Sequence, residues 1–501
     1  MRKTLLQCSV ITILLVVFCS CERSDRRVTK AEQTVAIDTI ANLETPESTI
    51  AEQKALKVKL YIENSGSMFG YVNGGTQLKN MLQNLLVDLK HKYDEDNIEL
   101  YFVASKIYAN PIKTDVVGFA NKLDISSIQK AGTKRERATS DLNDIFRQIT
   151  NEIEDNSISI LLSDFIYSVN ESGEGSTVNR LGEAKALTKD VFLTADKKGQ
   201  KLTTNVYQFV SDFDGKYYDF NDEGKKFKGQ RPYYLAVIGE QSTIKQFTNQ
   251  MTNQIGLKFP NYKGYSNEYL LTAEDFKVED YTVLSSTYNV GRIKPVRGSE
   301  VNGQVRKIEV EDSGRGDVTF QMAIAVDLSS LAVTNNYITN IENYELENDD
   351  YTLFEIGQIE DENIVFINGE KQPISKTDLN HMAFNATHAF IFQSTNPNSG
   401  NLSFRLKNNI PKWVNESSLL DDIDLTINTN KQNKTFGLEY LINGISEAYL
   451  QATKKVSYFD IDITIEKPKS SSFLGTAFGI LFVLLLISLI VIMILKQKTR
   501  K

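Results

Sequence analysis

The sequence predicts an α/β doubly wound domain over residues 56–257, a β-rich, sandwich-like region over 258–466 and a C-terminal transmembrane helix over 473–495. Three observations predict it. Apolar strand-like runs alternate with stretches of helical periodicity as far as about Leu257, and such alternation implies parallel pairing through right-handed crossovers. Beyond Lys258 the helical spacing fades, and short runs of alternating apolar and polar residues take over, separated by "NGE", "NPNSG" and "SGRG". Last, "FLGTAFGILFVLLLISLIVIMIL" is free of charge from Phe473 to Leu495, long enough for ~30 Å of hydrocarbon at ~1.5 Å per residue.

The N-terminus reads as an export signal. Arg2 and Lys3 precede the apolar run "LLQCSVITILLVVF", which ends in "FCSC" with Ser20 before Cys21. Residues 1–21 resemble a bacterial lipoprotein signal peptide, whose cleavage would leave Cys21 as the lipidated first residue. All three cysteines, Cys8, Cys19 and Cys21, fall in this segment, so nothing after Cys21 can form a disulfide or a thiolate metal site. Residues 22–55 hold no aromatic residue and are rich in Glu, Thr, Ala and Ser; they predict a flexible tether.

In the first domain, "KVKLYIE" (Lys57–Glu63) and "NIELYFVA" (Asn97–Ala104) read as strands. Between them Leu78, Met81, Leu82, Leu85, Leu86 and Leu89 recur at helical spacing. A helix follows over Ser140–Ile153 with Ser140 as its N-cap, then a buried strand "SISILLSDF". "RLGEAKALTKDVFLTADKKG" reads as helix, "TTNVYQFVS" and "PYYLAVIG" as strands, and "TIKQFTNQM" opens a last helix. In the β-rich region "DVTFQMAIAVDL", "HAFIFQS", "NLSFRLK", "IDLTINT" and "YFDIDITIE" read as strands, with one helix near "FGLEYLINGISEAYLQ". Lys496, Lys498, Arg500 and Lys501 close the chain, and the positive-inside rule makes 496–501 a cytoplasmic tail. Both ends then place the body on the periplasmic side of a bacterial inner membrane. The net charge of −8, with no basic stripe, argues against a nucleic-acid partner.

Chemistry concentrates in "YIENSGSMFGYV". Glu63, Ser65 and Ser67 follow the first strand, Asp164 follows the buried strand, and Thr139 and Ser140 open the helix before it. Open α/β sheets bind ligands at the carboxyl ends of their strands. These donors are all oxygens, a set suited to Mg²⁺ or Mn²⁺, with Ca²⁺ a further option, and not to zinc. A nucleophilic serine would need a base, and the only histidines are His91, His381 and His388; no Gly-x-Ser-x-Gly elbow surrounds either serine. Asp421, Asp422 and Asp424 lack the glycine and terminal glutamate of a calcium hand and read as a solvated strand edge.

On these residues the chain resembles a von Willebrand factor type A (vWA) domain, a Rossmann-like fold. "ENSGSM" is similar to the family's Asp-x-Ser-x-Ser run, "LLSDF" to the aspartate ending its fourth strand, and "ATSDLNDIF" to its middle threonine, with Ser140 the better fit and Thr139 the alternative. The resemblance covers about Leu56–Leu257. It implies a metal-ion-dependent adhesion site of Glu63, Ser65, Ser67, Ser140 and Asp164, completed by an acidic residue of another envelope protein. Glu63 stands where the family has Asp; its extra methylene either reaches the metal or crowds the hydroxyls. The expectation is a non-enzymatic envelope binding or scaffold protein, held to the membrane by lipid and helix. Its alternatives are a metal-assisted hydrolase on the same oxygens and a structural protein with a vestigial site.

Overall fold

The structure is a computed structural model that describes residues 56–137, 141–167, 176–252, 259–272, 276–288, 290–314, 317–331, 333–467 and 473–498. The signal-like segment with Cys21, the tether, and the pair Thr139 and Ser140 lie outside the described residues.

The first sheet has seven strands: β1 (Lys57–Glu63), β2 (Ile98–Val103), β3 (Ile107–Ala109), β4 (Ser157–Ser163), β5 (Leu202–Tyr218), β6 (Gly224–Glu240) and β7 (Tyr265–Thr272). Their order is β3-β2-β1-β4-β6-β5-β7. β1 runs parallel to β2 and β4, with Leu60 level with Leu100 and Ile160. The other pairings are antiparallel, so the sheet is mixed and the expected all-parallel, doubly wound sheet is not formed. The reason lies in residues 211–231. No helix separates β5 from β6. Phe213, Tyr217, Phe227 and Arg231 follow a two-residue period, and Asp222 turns the chain at φ 58°. Each arm of this hairpin is 17 residues, ~55 Å at ~3.3 Å per residue.

Helices cover both faces. Helix Gln77–Lys92, capped by Thr76, lays Leu78, Met81, Leu82, Leu85, Leu86 and Leu89 against Val58, Leu60, Ile62, Ile160 and Leu162. Helices Leu142–Asn151, Thr177–Lys197 and Leu438–Thr453 cover the other face around Tyr61, Leu161, Val206 and Ala236. The N-cap of Leu142–Asn151 is Asp141, whose carboxylate accepts from the Asn143 amide at 2.8 Å, rather than Ser140. Two of these features correct the expected boundary at Leu257. β7 lies beyond it, and helix Leu438–Thr453 returns from the far end of the β-rich region to complete the first core.

The remaining strands are β8 (Tyr281–Leu284), β9 (Arg292–Pro295), β10 (Lys307–Glu311), β11 (Phe320–Val326), β12 (Tyr344–Leu346), β13 (Thr352–Glu360), β14 (Asn363–Val365), β15 (Lys371–Pro373), β16 (His388–Ser394), β17 (Gly400–Lys407), β18 (Ser418–Leu419), β19 (Thr435–Phe436) and β20 (Ser457–Glu466). Sheet β15-β14-β13-β16-β11-β8 faces sheet β12-β17-β20-β10-β9 across Phe320, Met322, Ile324, Phe390, Phe404, Ile461 and Ile463. β18 and β19 pair with each other. "IDLTINT" forms turns between them instead of a strand.

The C-terminal segment is helical over Phe473–Lys498, but the expected membrane span is not supported. Among the described residues no helix is long and apolar enough to cross a membrane. The inner-membrane location with a cytoplasmic tail rested on that span and falls with it.

The hairpin lies against the short helix Phe69–Val72 through two glycines. A Cβ on Gly215 would stand 2.7 Å from the Gly70 Cα, and one on Gly70 would stand 2.4 Å from the Phe213 ring. Gly215→Val should therefore cost roughly 1–3 kcal/mol through overpacking. Gly75→Ala, which meets nothing within 4 Å, should change little. Urea denaturation of the two variants checks the difference.

Candidate functional site

β1 and β4 are neighbours in register, Ile62 opposite Leu162, so the residues just past each strand share the carboxyl edge of the sheet. The chain leaves β1 for β2 on one side, while β4 flanks it on the other. That reversal of strand order is where open sheets bind ligands.

Ser65 is extended at φ −85°, ψ 166° and heads a single 3-10 turn, Gly66–Met68. Its Oγ lies 2.8 Å from the Ser67 Oγ. Ser65 is buried and Ser67 is half-buried. Asn64 anchors the turn from below, its amide donating to the Val103 carbonyl at 2.7 Å and its side chain to the Ala131 carbonyl at 2.6 Å. The Glu63 carboxylate accepts from the hydroxyl of Ser163, its neighbour across the sheet. The same Ser163 oxygen accepts from the Phe165 amide at 2.9 Å.

Asp164 is 2% exposed. Its Oδ1 accepts from the Ile166 amide at 3.2 Å, and its Oδ2 has no hydrogen-bond partner among the described residues. Burial pushes the carboxyl above the usual carboxylate range. The nearby Ser67 hydroxyl, the Ile166 amide and the Arg231 guanidinium pull it back.

Arg231 is the residue the sequence reading missed, and Asp422 the one it misplaced. The register Ser163 opposite Tyr234 carries β6 past the end of β4 and sets Arg231 beyond Asp164. Arg231 has no exposed surface. Its Nη1 donates to the Gln432 and Lys434 carbonyls at 2.7 and 2.8 Å. Its guanidinium carbon lies 4.7 Å from the centre of the Tyr217 ring. Nε and Nη2 have no hydrogen-bond partner among the described residues. Asp422, far from being a solvated edge, is fully buried; it accepts from the Tyr217 hydroxyl and, at 3.0 Å, from the Phe220 amide. Burial raises its carboxyl, against the pull of Tyr217, Phe220 and Arg231. The signal in the sequence is period two: Phe227, Gly229, Arg231, Tyr233 and Leu235 share one side of β6, and an arginine in an apolar stripe demands an acid. The hairpin also covers the serine turn, since a Cβ on Gly66 would meet the Tyr218 ring at 3.2 Å.

A divalent cation needs several anionic or carbonyl oxygens aimed at one point. Of the expected donors, the Ser65 and Ser67 hydroxyls meet and Ser67 lies against Asp164, while Glu63 turns to Ser163. A fixed cation also acts on Asp164. Among the described residues no cluster of three or more Asp, Glu, His or Cys could hold an ion. Ser65, Ser67 and Asp164 alone are too few donors for a divalent cation, Thr139 and Ser140 lying outside the described residues, and no step is derived through one.

The histidines lie elsewhere. His91 is exposed in the last turn of helix Gln77–Lys92, and His381 reaches the Gly303 carbonyl at 3.3 Å. His388, on β16 of the sandwich, places Nδ1 2.9 Å from the Thr387 hydroxyl and Nε2 2.9 Å from the Asn335 side-chain oxygen. Comparison of the chain with protein-family models, with curated proteins and with solved structures finds no match.

Burial pushes His388 down from 6.5 to about 4. A folded-state pKa below the unfolded one gives stability that is complete above pH 6.5 and is lost as pH falls through 4. At ~1.36 kcal/mol per pKa unit the loss is on the order of 3 kcal/mol. His388→Gln should flatten the fall in stability across that window, as read by denaturation midpoints at stepped pH.

Proposed function

We propose that this chain is a non-enzymatic binding protein that holds a protein partner at the carboxyl edge of its first sheet, with the sandwich as spacer or second contact surface. The observation that carries the reading is the Ser65–Ser67 hydroxyl pair, placed at the sheet's switch point with Ser67 half-buried. Its resemblance to the vWA serine turn supports the same reading. So does the placement of the histidines, none of which is hydrogen-bonded to either serine as a general base would be. The two hydroxyls suit a polar or acidic side chain of the partner.

The test uses p-benzoylphenylalanine in place of Phe69, which is half-buried in the turn after Ser67, and in place of Phe354, which is 52% exposed on the sandwich. Irradiation of the full chain in its native cells should give an adduct from position 69 that is absent from position 354. Two hydrogen bonds at about 1 kcal/mol each predict at least a tenfold loss of that adduct in Ser65→Ala/Ser67→Ala, at unchanged melting temperature. An adduct untouched by the serine substitutions would overturn the reading.

A further inference from the structure

We propose that Arg231 is the resident cation of this edge: the buried positive charge beyond the end of β4 is the chain's own guanidinium, where the serine motif led to the expectation of a divalent metal. The inference holds whether or not a partner docks at Ser67.

Position comes first. Arg231 sits on β6 just beyond the end of β4, on the continuation of the strand pair that carries Asp164. Its charge pulls on two carboxyls from segments far apart in sequence, Asp164 and Asp422, and among the described residues neither makes an ion pair with it within 4.0 Å. Both are buried, as is Arg231 itself. Tyr217 links the groups, with its ring against the guanidinium and its hydroxyl on Asp422. Burial comes second. An ion taken out of water needs a compensating charge and hydrogen bonds in place, and Gln432 and Lys434 supply carbonyls to Nη1. The open valences come third. Asp164 keeps a buried Oδ2, and Arg231 keeps buried Nε and Nη2 groups, with no hydrogen-bond partner among the described residues. A second cation beside the guanidinium would be repelled by it and would have to share the same two carboxylates.

Residues 422–434 are thereby assigned a role. They form a strap from the far half of the chain that brings one acid and two carbonyls over the arginine, and β18 and β19 pin its ends.

The experiment is thermal melting of the full chain, alone and with millimolar Mg²⁺ or Mn²⁺, together with a double-mutant cycle. The wild type should melt at the same temperature with and without metal. Arg231→Met should melt well below it, because two buried carboxylates lose their counter-charge. Adding Asp164→Asn should return part of that loss, so that the double variant is more stable than Arg231→Met alone. Arg231→Lys, which keeps the charge without the fork, should fold with an intermediate midpoint and supplies the comparison if Arg231→Met does not fold. A metal-dependent rise in the wild type that Ser65→Ala abolishes would overturn the proposal, because the ion would then be the occupant. Strict additivity of Arg231→Met and Asp164→Asn would overturn it equally, because the guanidinium would then not serve that carboxylate. The partner adduct at position 69 is a separate readout, so either conclusion can fail alone.

Discussion

A guanidinium with no exposed surface has to be neutralised where it stands. Removing an ion of this size from water costs several kcal/mol even after the surroundings relax, so Arg231 is tolerable only among groups that offset that loss. It has three kinds. Two backbone carbonyls accept from Nη1, an aromatic face lies 4.7 Å from its centre, and two buried aspartates supply opposing charge. A desolvated cation over a ring contributes ~2 kcal/mol or more, and hydrogen bonds to a charged group ~1.5–3 kcal/mol each. The offset is of the right order only when all of them are present. Removing any one leaves the rest facing an uncompensated ion.

That requirement shapes the chain's course. Asp164 comes from just past β4, Tyr217 from β5, Arg231 from β6, and Asp422, Gln432 and Lys434 from a strap some 200 residues downstream of Arg231, the carbonyl bonds spanning 201 and 203 residues. The strap leads directly into helix Leu438–Thr453, which closes the second face of the first sheet over Leu438, Leu441, Ile442 and Ile445. Gly437 makes the junction at φ 71°, packed so closely that a Cβ would stand 2.7 Å from Tyr167. The first sheet therefore has a finished core only after the sandwich has been crossed and the chain has returned. Its assembly depends on contacts of long sequence separation, which carry loop-closure entropy before they reward it.

What could be read from the sequence follows from what local pattern can express. Lys57–Glu63, the leucine stripe of Gln77–Lys92 and Ser157–Ser163 are legible because apolar residues repeat at the period of the element that buries them. The outer halves of β5 and β6 are not, because beyond the sheet they alternate lysine, aspartate and glycine with single aromatics, and their partner is each other. Asp422 read as solvated because a carboxylate beside two others carries no mark of a tyrosine 205 residues away. The serine turn was legible as chemistry, since Ser65 and Ser67 do meet at the end of β1. Its occupant was not, because the charge that serves Asp164 sits on a strand with no sequence proximity to either motif. At the C-terminus, apolar composition alone suggested a span, and the described helix does not support one.

A resident guanidinium also changes what the edge can do. A bound metal lends a partner's carboxylate a strong, directional bond and makes binding depend on ion concentration. With the charge built into the chain and buried behind Tyr217, that bond is not on offer at the surface. The groups left to a partner are the half-buried Ser67 hydroxyl and, through it, Ser65, each worth ~1 kcal/mol net. Such an edge can orient a partner but cannot hold it alone, since a micromolar complex needs ~8 kcal/mol. Most of the affinity must then come from apolar area elsewhere on the surface. The strap exposes some, for Leu420, Ile423 and Ile427 are 47, 44 and 84% exposed on the segment whose Asp422 is held by Tyr217 and Phe220. The buried acid holds the loop down while its neighbours face outward, so the constraint that keeps Arg231 neutral also fixes the surface above it.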